Sequence, residues 1–589
     1  MSLRITGKVL EKCNMREEWR IHAKTADFKG IGEKYGIDPV IARIIRNREI
    51  VQPEEIEEYI NGGVQSLHSP FLLKDMDRAA ALVKAAIDSR ESIRIIGDYD
   101  IDGVNSIYIL YCGLTRLGAQ VDYVVPHRVL DGYGINERLI DEAHEAGKRM
   151  LITCDNGIAA YSQIEYAKSL GMKVVVTDHH GVPFEDGEDG RREILPPADA
   201  VVDPARADCA YPWKKICGAV VAMKLVQALF ALYGRPEEEI MDFLEFAAMA
   251  TVGDVVELQG ENRTIVRLGL DRIKNTGNYG LAALIDINKL DRRHISSYHI
   301  GFVIGPCLNA SGRLETAMLA VQLLLSEDRK EAEQIAGELL ALNEERKEMT
   351  RKGFEKAVDM VESTGIKDDM VLVIFLPECH ESIVGIIAGR VREKYNKPVI
   401  VFAQGEGCFK GSGRSIEGYN MFEKLTRCKN LLEKFGGHPM AAGMSILPGK
   451  LEPLRRKLNE DSGLTAESLV LKVWIDADMP LEYINPKLIS DLSVLEPFGK
   501  GNEKPVFAER HLRIRQLNHM GKEGQYTRMI LEKENGYTME AVMFSINPEV
   551  EEAYSKGQRI NVLYYPGINE YNGNRKIQIV INGVMPCRV

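Results

Sequence analysis

A chain of 589 residues is too long for one hydrophobic core, so about two to four domains are expected. With 45% hydrophobic and 27% charged residues and no long polar repeat, the composition excludes a disordered or fibrous protein. Lys+Arg 75 against Asp+Glu 86 leaves a formal charge of -11, the opposite of the usual footprint of a nucleic-acid binder; a phosphate-rich substrate then requires acids gathered around metal ions and basic residues along a groove.

The first residues, MSLRITGKVLEKCNMREEWR, lack the apolar core of a signal peptide, and no run of about 18 apolar residues is present to span a bilayer. A cytoplasmic protein without membrane contact is expected. Ten cysteines from Cys13 to Cys587 include no C-x-x-C pair, which points to reduced, structural thiols and away from a zinc ribbon or disulfide framework.

In chain order, residues 1–70 are helical in pattern and rich in charge, a lead-in closed by Asn61-Gly62-Gly63. From about residue 93 to 255, short apolar runs (IRIIG, VDYVV, RMLITC, KVVVTD, ADAVVD) alternate with helical stretches, the pattern of a parallel sheet covered on both faces. Residues 326–365 have no proline and many i,i+4 charge pairs, predicting one long connecting helix or two abutting ones. Residues 366–465 repeat an α/β pattern and add the glycine-rich GEGCFKGSGRS and GGHPMAAG. Residues 466–589 alternate strand-like runs (VLKVWIDAD, TRMILEK, MEAVMFS, RINVLYY, KIQIVING) with short turns, predicting a small β-barrel of the OB type, a fold that commonly binds single strands.

Open parallel sheets bind ligands beyond the carboxyl ends of their strands. Asp98, Asp155, Asp178 and Asp203 each fall just after a predicted strand, so one sheet edge collects them. In GDYDIDG, extended backbone would turn Asp98, Asp100 and Asp102 to one side, where three carboxylates need cations to coexist. A calcium hand is excluded, since neither the Glu at position twelve nor the preceding helix is present. Asp155 in TCDNGI is placed to bridge two ions, and Gly157 permits a tight backbone approach. In VVVTDHHG a histidine nitrogen can ligate a metal while Asp178 orients it. Asp254 in TVGDVVEL is a further candidate ligand. Carboxylates and imidazole without thiolate suit manganese or magnesium, with histidine favouring manganese. Two such ions about 3.5 to 4 Å apart activate a bridging water and clamp a phosphoryl group, so phosphodiester hydrolysis is expected. No Walker loop or dinucleotide fingerprint is present, so neither ATP nor nicotinamide is expected. CHESIVGIIAGR reads as a helix-packing run, with His380 a candidate for substrate contact.

GDYDIDG, CDNG, TDHHG, GPCLNASGRL, SGRSIEGYN and FGGHPMAAG resemble, in order, the motifs of the DHH phosphoesterase superfamily with its DHH-associated domain. DYDIDGVNS, ICGAVVAMKL, GENRTIVRLGL and LEPFGKGNEKPVFA are similar to its branch of bacterial single-stranded-DNA-specific exonucleases. The resemblance implies an α/β architecture: a parallel-sheet DHH domain (71–325), a connecting helix (326–365), an α/β DHH-associated substrate-binding domain (366–465) and an OB-like barrel (466–589). It implies 5′ to 3′ removal of 5′-mononucleotides from single-stranded DNA in repair and recombination. Metal ligands would be Asp100, Asp102, Asp155, His179 and Asp254, with Asp98 either a further ligand or an acidic supporter of the first ion, holding two divalent cations, and His180 would touch the scissile phosphate. Asn309, Arg313, Ser412, Arg414, Ser415, Gly436, Gly437 and His438 would bind substrate. Cys307 stands where relatives usually carry arginine, which predicts a missing basic contact. Single-stranded DNA is the expected partner, with a single-strand-binding protein and a DNA helicase beside it, and a monomer the expected state. The alternatives are a phosphodiesterase of short oligonucleotides or cyclic dinucleotides, which would not need the last segment, and a non-catalytic DHH-like replication scaffold, which would lack the full set of acids.

Overall fold

In the computed structural model, which describes residues 4–5, 17–128, 131–187, 190–571 and 574–587, the five expected apolar runs form one all-parallel sheet. Its strands lie in the order Gln120–Val124, Ser92–Ile96, Met150–Cys154, Lys173–Thr177, Ala200–Val202. Both faces are covered, which is why the strands are almost wholly apolar. Ile93, Ile95, Ile152 and Val175 pack on one side with residues of the helices Met76–Asp88 and Gly218–Leu232. Ile96, Leu151, Val174 and Val176 pack on the other with residues of the helices Glu137–Glu145 and Tyr161–Ser169. Ser92–Ile96 has a neighbour on each side, Gln120–Val124 and Met150–Cys154. The direction of winding therefore reverses between Ser92–Ile96 and Met150–Cys154, and a ligand crevice opens at their carboxyl ends.

This sheet belongs to a unit made of Gln52–Arg346 and Glu496–Glu503. The returning segment is tied in by Tyr59 Oη donating to Asn502 Oδ1 (2.8 Å) and by Leu258 N donating to Lys500 O (2.7 Å). Lys224 and Glu261, both fully buried, pair at 2.6 Å inside it, and Tyr211 donates to the same carboxylate. The predicted connector is a single helix of 35 residues, Arg329–Ser363, laced by i,i+4 pairs such as Arg329–Glu333 and Arg351–Glu355.

The second unit comprises the chain up to Val51, Lys347–Leu495 and Lys504–Val589. Its α/β part is a five-stranded sheet ordered Leu372–Phe375, Val399–Gln404, Phe409–Arg414, Ala441–Ile446, Lys434–His438; the first pair is parallel and the rest antiparallel. Its β part is a closed five-stranded barrel of Phe507–Met520, Tyr526–Glu532, Thr538–Met543, Asn574–Pro586 and Arg559–Tyr571, closed by pairing of the last with the first. The helix Pro548–Ser555 lies between its third and fourth strands in chain order.

Two sequence expectations fail here. The lead-in is not wholly helical: Glu17–Ile21 is a strand that pairs in parallel with Leu471–Ile475, burying Trp19 with Ile475, Ala508, Leu563 and Met585. VLKVWIDAD consequently does not open the barrel; that place belongs to Phe507–Met520, which carries no clear strand signal in the sequence. A bulge between Glu509 and Leu512, with His511 at φ 57°, shifts its inside-outside alternation and hides the period-two signal. Residues 1–3 and 6–16, part of the expected helical segment and including Cys13, lie outside the described residues. The nine described cysteines are free thiols. No helix among the described residues is long and apolar enough to cross a membrane.

Candidate metal centre

Asp98 follows the strand Ser92–Ile96, Asp155 follows Met150–Cys154 and Asp178 follows Lys173–Thr177, so adjacent parallel strands deliver three acids to one crevice. Asp100 and Asp102 reach it differently from the expectation. Asp100 is the N-cap of the helix Ile101–Arg116, its Oδ1 accepting from Asp102 N (2.9 Å) and Gly103 N (3.2 Å), and Asp102 lies in the first helical turn. The acids converge through a strand end, a cap and a helical turn rather than through alternation on extended backbone. Asp102 is gripped from the far side as well. Gly218 N and Ala219 N, at the start of the helix Gly218–Leu232, donate to its two oxygens at 2.7 Å each.

Asp254 arrives as the C-cap of the helix Leu244–Gly253. Asp155 is held at φ 59°, a left-handed conformation uncommon for a residue with a side chain, and backbone strain of this kind gathers at functional sites. The result is three overlapping constellations. Asp98, Asp100 and Asp155 bring ligand atoms within 4.8 Å of one another, as do Asp102, His179 and Asp254, and Asp155, His179 and His180 join the two. They meet where His179 Nε2 lies 3.1 Å from Asp155 Oδ1 and 3.5 Å from Asp102 Oδ2.

The electrostatics are those of acids crowded out of water. Burial, then the charge of Asp100, pushes Asp98 well above the ordinary carboxylate range; burial, then Asp102, Asp100 and Asp98, does the same to Asp155. Burial followed by Asp102 and Asp100 raises Asp254 to about 8. Burial holds His179 below its usual value, leaving the neutral, metal-binding imidazole. Asp98 Oδ1 is buried without a hydrogen-bond partner. An unpartnered carboxylate oxygen among mutually repelling acids, with a neutral imidazole and no thiolate in the set, fits a pair of hard divalent cations.

Asp178 orients the second histidine, not the first. Its Oδ1 lies 2.7 Å from His180 Nδ1 and also accepts from His179 N, while its Oδ2 accepts from Ile158 N. Burial works to raise Asp178, but the bond and charge of His180 outweigh it and hold the carboxyl below its ordinary range. Burial opposes charging of His180, but Asp178 outweighs it and lifts the imidazole to about 9. Asp203 is buried at the end of its strand, its Oδ1 accepting from Ala205 N, and lies outside all three constellations.

Three groups at this site escaped the sequence reading. Tyr133 Oη donates to the Asp155 carbonyl at 2.8 Å and lies 3.3 Å from the His180 ring nitrogens. Asn156 bridges strand ends, donating to Ile96 O and Cys154 O and accepting from Ile135 N. Arg128 lies over the Tyr99 ring at 4.7 Å. Tyr133 was signalled only by the glycine-punctuated LDGYGIN after a strand, and Asn156 sat unremarked inside the CDNG motif.

Asn309 and Arg313 share a face of the helix Gly305–Leu314, whose Gly312 packs so closely on Tyr99 that a Cβ there would meet Tyr99 O at 2.2 Å. Cys307, two residues from Asn309, turns to the opposite side. It is fully buried, with Asn288 Nδ2 at 3.8 Å and Asn343 Nδ2 at 3.4 Å from its sulfur. The expectation that cysteine here leaves the site short of a basic group is therefore corrected, because the position faces the core and not the phosphate.

In the second unit, register explains how two distant motifs meet. Ser412 pairs with Gly443, which pairs with Gly436; Arg414 pairs with Ala441, which pairs with His438. Directly paired residues share a face, so Ser412, Arg414, Gly436 and His438 stand on one side of the sheet. Arg414 Nη1 donates to Ser412 Oγ at 2.9 Å, and Gly385 leaves room for both groups under the helix Val384–Tyr395. Gly437, between them at φ 145°, belongs to the opposite face. Ser415 does not join the row. It is buried and spends its hydroxyl on the Tyr419 carbonyl, so its expected substrate contact is withdrawn. His380 caps a short helical turn, its Nδ1 accepting from Ser382 N.

Known families and structures agree with this arrangement. The model for the DHH family, N-terminal domain, matches residues 92–251, that for the DHHA1 domain matches 368–461, and that for the RecJ OB domain matches 475–583. The chain is 36% identical over 568 residues to the single-stranded-DNA-specific exonuclease RecJ of Bacillus subtilis, covering 96% of this chain and 70% of that protein. It is 32% identical over 573 residues to its Escherichia coli namesake, covering 93% and 96%. The crystal structure of RecJ in complex with Mn2+ from Thermus thermophilus superimposes with a TM-score of 0.80 at 26% identity, covering 97% of this chain and 80% of that one. A second crystal structure, of exonuclease RecJ bound to manganese, gives 0.58 at 31% identity over 68% of this chain and 97% of that one.

Proposed function

The chain belongs to the RecJ family, and from that premise we propose that it is a two-metal, 5′ to 3′ exonuclease specific for single-stranded DNA that releases 5′-mononucleotides in repair and recombination. One observation carries the reading: Asp155 is shared by a carboxylate cluster and, through the 3.1 Å approach of its oxygen to His179, by a second acid and imidazole cluster. Asp98, Asp100 and Asp155 would hold one ion, and Asp102, His179 and Asp254 the other, with Asp155 serving both. The manganese of the related structures and the carboxylate-imidazole donor set favour manganese, with magnesium as the substitute. When bound, such a pair lowers the pKa of water and stabilises charge on the phosphoryl oxygens.

The side chains have separate tasks. His180, oriented through Nδ1 by Asp178, would present the other edge of its ring to the scissile phosphate and supply a proton to the departing oxygen. Tyr133 fixes that ring against the Asp155 backbone. Asn309 and Arg313 would address phosphate by amide and guanidinium donors. In the second unit Ser412, Arg414, Gly436 and His438 would grip the nucleotide end, and the barrel would hold the strand by charge and stacking. The domain scheme of lead-in, catalytic domain, connector, substrate-binding domain and barrel is part of this proposal. So are a cytoplasmic location, a monomeric state, and work beside a single-strand-binding protein and a DNA helicase.

The test is digestion of single- and double-stranded DNA labelled at either end, with manganese, magnesium or chelator. Release of labelled mononucleotides from a free 5′ end of single strands is expected, abolished by Asp155→Ala with the fold preserved. Absence of that release from the wild-type protein would remove the proposal.

A further inference from the structure

Phe302 is 69% exposed and Tyr298 61% exposed, the former being the most exposed large hydrophobic side chain among the described residues. Their rings stack on each other, with centroids 4.9 Å apart and planes 29° from parallel. Two large aromatics standing in water lose the benefit of burial, so their retention on a well-anchored element calls for a ligand.

The element is well anchored. Tyr298 lies in the single turn Ser297–His299, and Phe302 in the π-helical turn Ile300–Ile304 that follows, a form met mostly at functional sites. Ile300 and Ile304 are fully buried, and Ser297 Oγ donates to Phe498 O. The turn leads directly into the helix Gly305–Leu314 that carries Asn309 and Arg313. It also packs on the helix that ends at Asp254: a Cβ on Gly301 would sit 3.7 Å from Val252 Cγ1. That same helix closes on the Asp100–Asp102 turn, where a Cβ on Gly253 would meet Ile101 Cγ2 at 2.4 Å. The aromatic pair is therefore built into the scaffold of the metal cluster. Val255, the residue after Asp254, adds another exposed apolar side chain, 59% accessible.

We propose that Tyr298 and Phe302 form a base-stacking platform for unpaired nucleotides beside the metal cluster. It rests on the single-strand exonuclease reading and adds to it a physical basis for strand selection. A ring face accepts any base whose own face is open, without regard to sequence. Bases inside a duplex have both faces occupied by their neighbours and their edges by pairing, so the platform recognises only a strand already opened. Phosphate contacts are shared by single and double strands; stacking on this pair adds a contact that only an open strand can make.

The test uses the full-length protein in chelator, so that binding is read without cleavage. Oligonucleotides of about 12 nucleotides carry 2-aminopurine at successive positions, beside a matched strand with abasic sites at those positions. The wild-type protein is expected to quench 2-aminopurine at one or two adjacent positions and to bind the base-bearing strand more tightly than the abasic one. The double variant Tyr298→Ala/Phe302→Ala should lose the quenching and weaken binding of the base-bearing strand by about tenfold, with abasic binding unchanged. Tyr298→Phe/Phe302→Tyr should restore both. A folded double variant that binds and quenches as the wild type does overturns the proposal and assigns the pair to a protein partner; equal weakening on both strands overturns it as well. The two readings fail separately. Nucleotide release with manganese but no change in the variant sinks only the platform; base-dependent binding without any release sinks only the nuclease.

Discussion

Replacing Gly218 by alanine should disable the metal centre while leaving the fold standing. Gly218 opens the helix whose first two amides hold Asp102 at 2.7 Å, and its α-carbon faces Asp155 so closely that an added Cβ would lie 2.7 Å from Asp155 Cβ and 3.0 Å from Asp155 Oδ1. Carbon atoms rest comfortably at about 3.5–4.0 Å, so the two backbones must part by roughly 1 Å. If the helix retreats, Asp102 loses charge-assisted bonds that contribute about 1.5–3 kcal/mol each. If Asp155 yields, it leaves His179. Either way the six ligand groups no longer coincide, and a shift of about 1 Å lowers turnover on the order of 100-fold. The cost to stability is that of overpacking, about 1–3 kcal/mol. Manganese binding by calorimetry, single-strand digestion and thermal melting separate these effects. Gly277→Ala, where an added Cβ meets nothing within 4 Å, is the control. Wild-type manganese affinity and turnover in Gly218→Ala would refute the reasoning.

Tyr133→Phe removes the bond to the Asp155 carbonyl and the contact with His180, and should lower turnover by about tenfold or more at unchanged melting temperature; a wild-type rate in steady-state kinetics would exclude the positioning role. Burial raises Glu245 to about 7 although Thr276 donates to it, so its stabilising contribution is complete below the ordinary carboxylate range and is lost as the pH rises through about 7. Glu245→Gln, neutral throughout, should therefore gain stability over the wild type above neutrality, which melts at about pH 5 and about pH 9 will check. Lys224→Met strands the Glu261 charge in the core and should cost about 3–5 kcal/mol, whereas Lys224→Met/Glu261→Gln should cost less; equal losses in denaturant unfolding would contradict the pairing.

The catalytic sheet was legible because strands buried on both faces must be apolar, and because acids following such strands fall at one edge. The convergence of Asp98, Asp155 and His179 followed from that rule. The path of Asp100 and Asp102 did not, since a cap and a helical turn replace the extended backbone that alternate spacing suggests. Tyr133 and Asn156 act through backbone atoms of other strands, a relation that no local pattern encodes. The inward turn of Cys307 is a matter of helix phase, and the burial of Ser415 a matter of the turn to Tyr419. Neither is visible until the elements are placed. Phe507–Met520 escaped because its bulge breaks the alternation, and Glu17–Ile21 because its pairing partner is remote in sequence.

That remoteness has a temporal meaning. The partner of Glu17–Ile21 emerges from the ribosome about 450 residues later, on the order of half a minute of synthesis. Until then Trp19 has no core to enter, while Gln52–Arg346 can already collapse around its own sheet and waits only for Glu496–Glu503. Assembly is therefore ordered in time: the phosphodiesterase sheet matures first, and Glu17–Ile21 is among the last strands to be seated. A nascent chain arrested before Leu471 should display its first tryptophan to quenchers and proteases, and release of the finished chain should hide it.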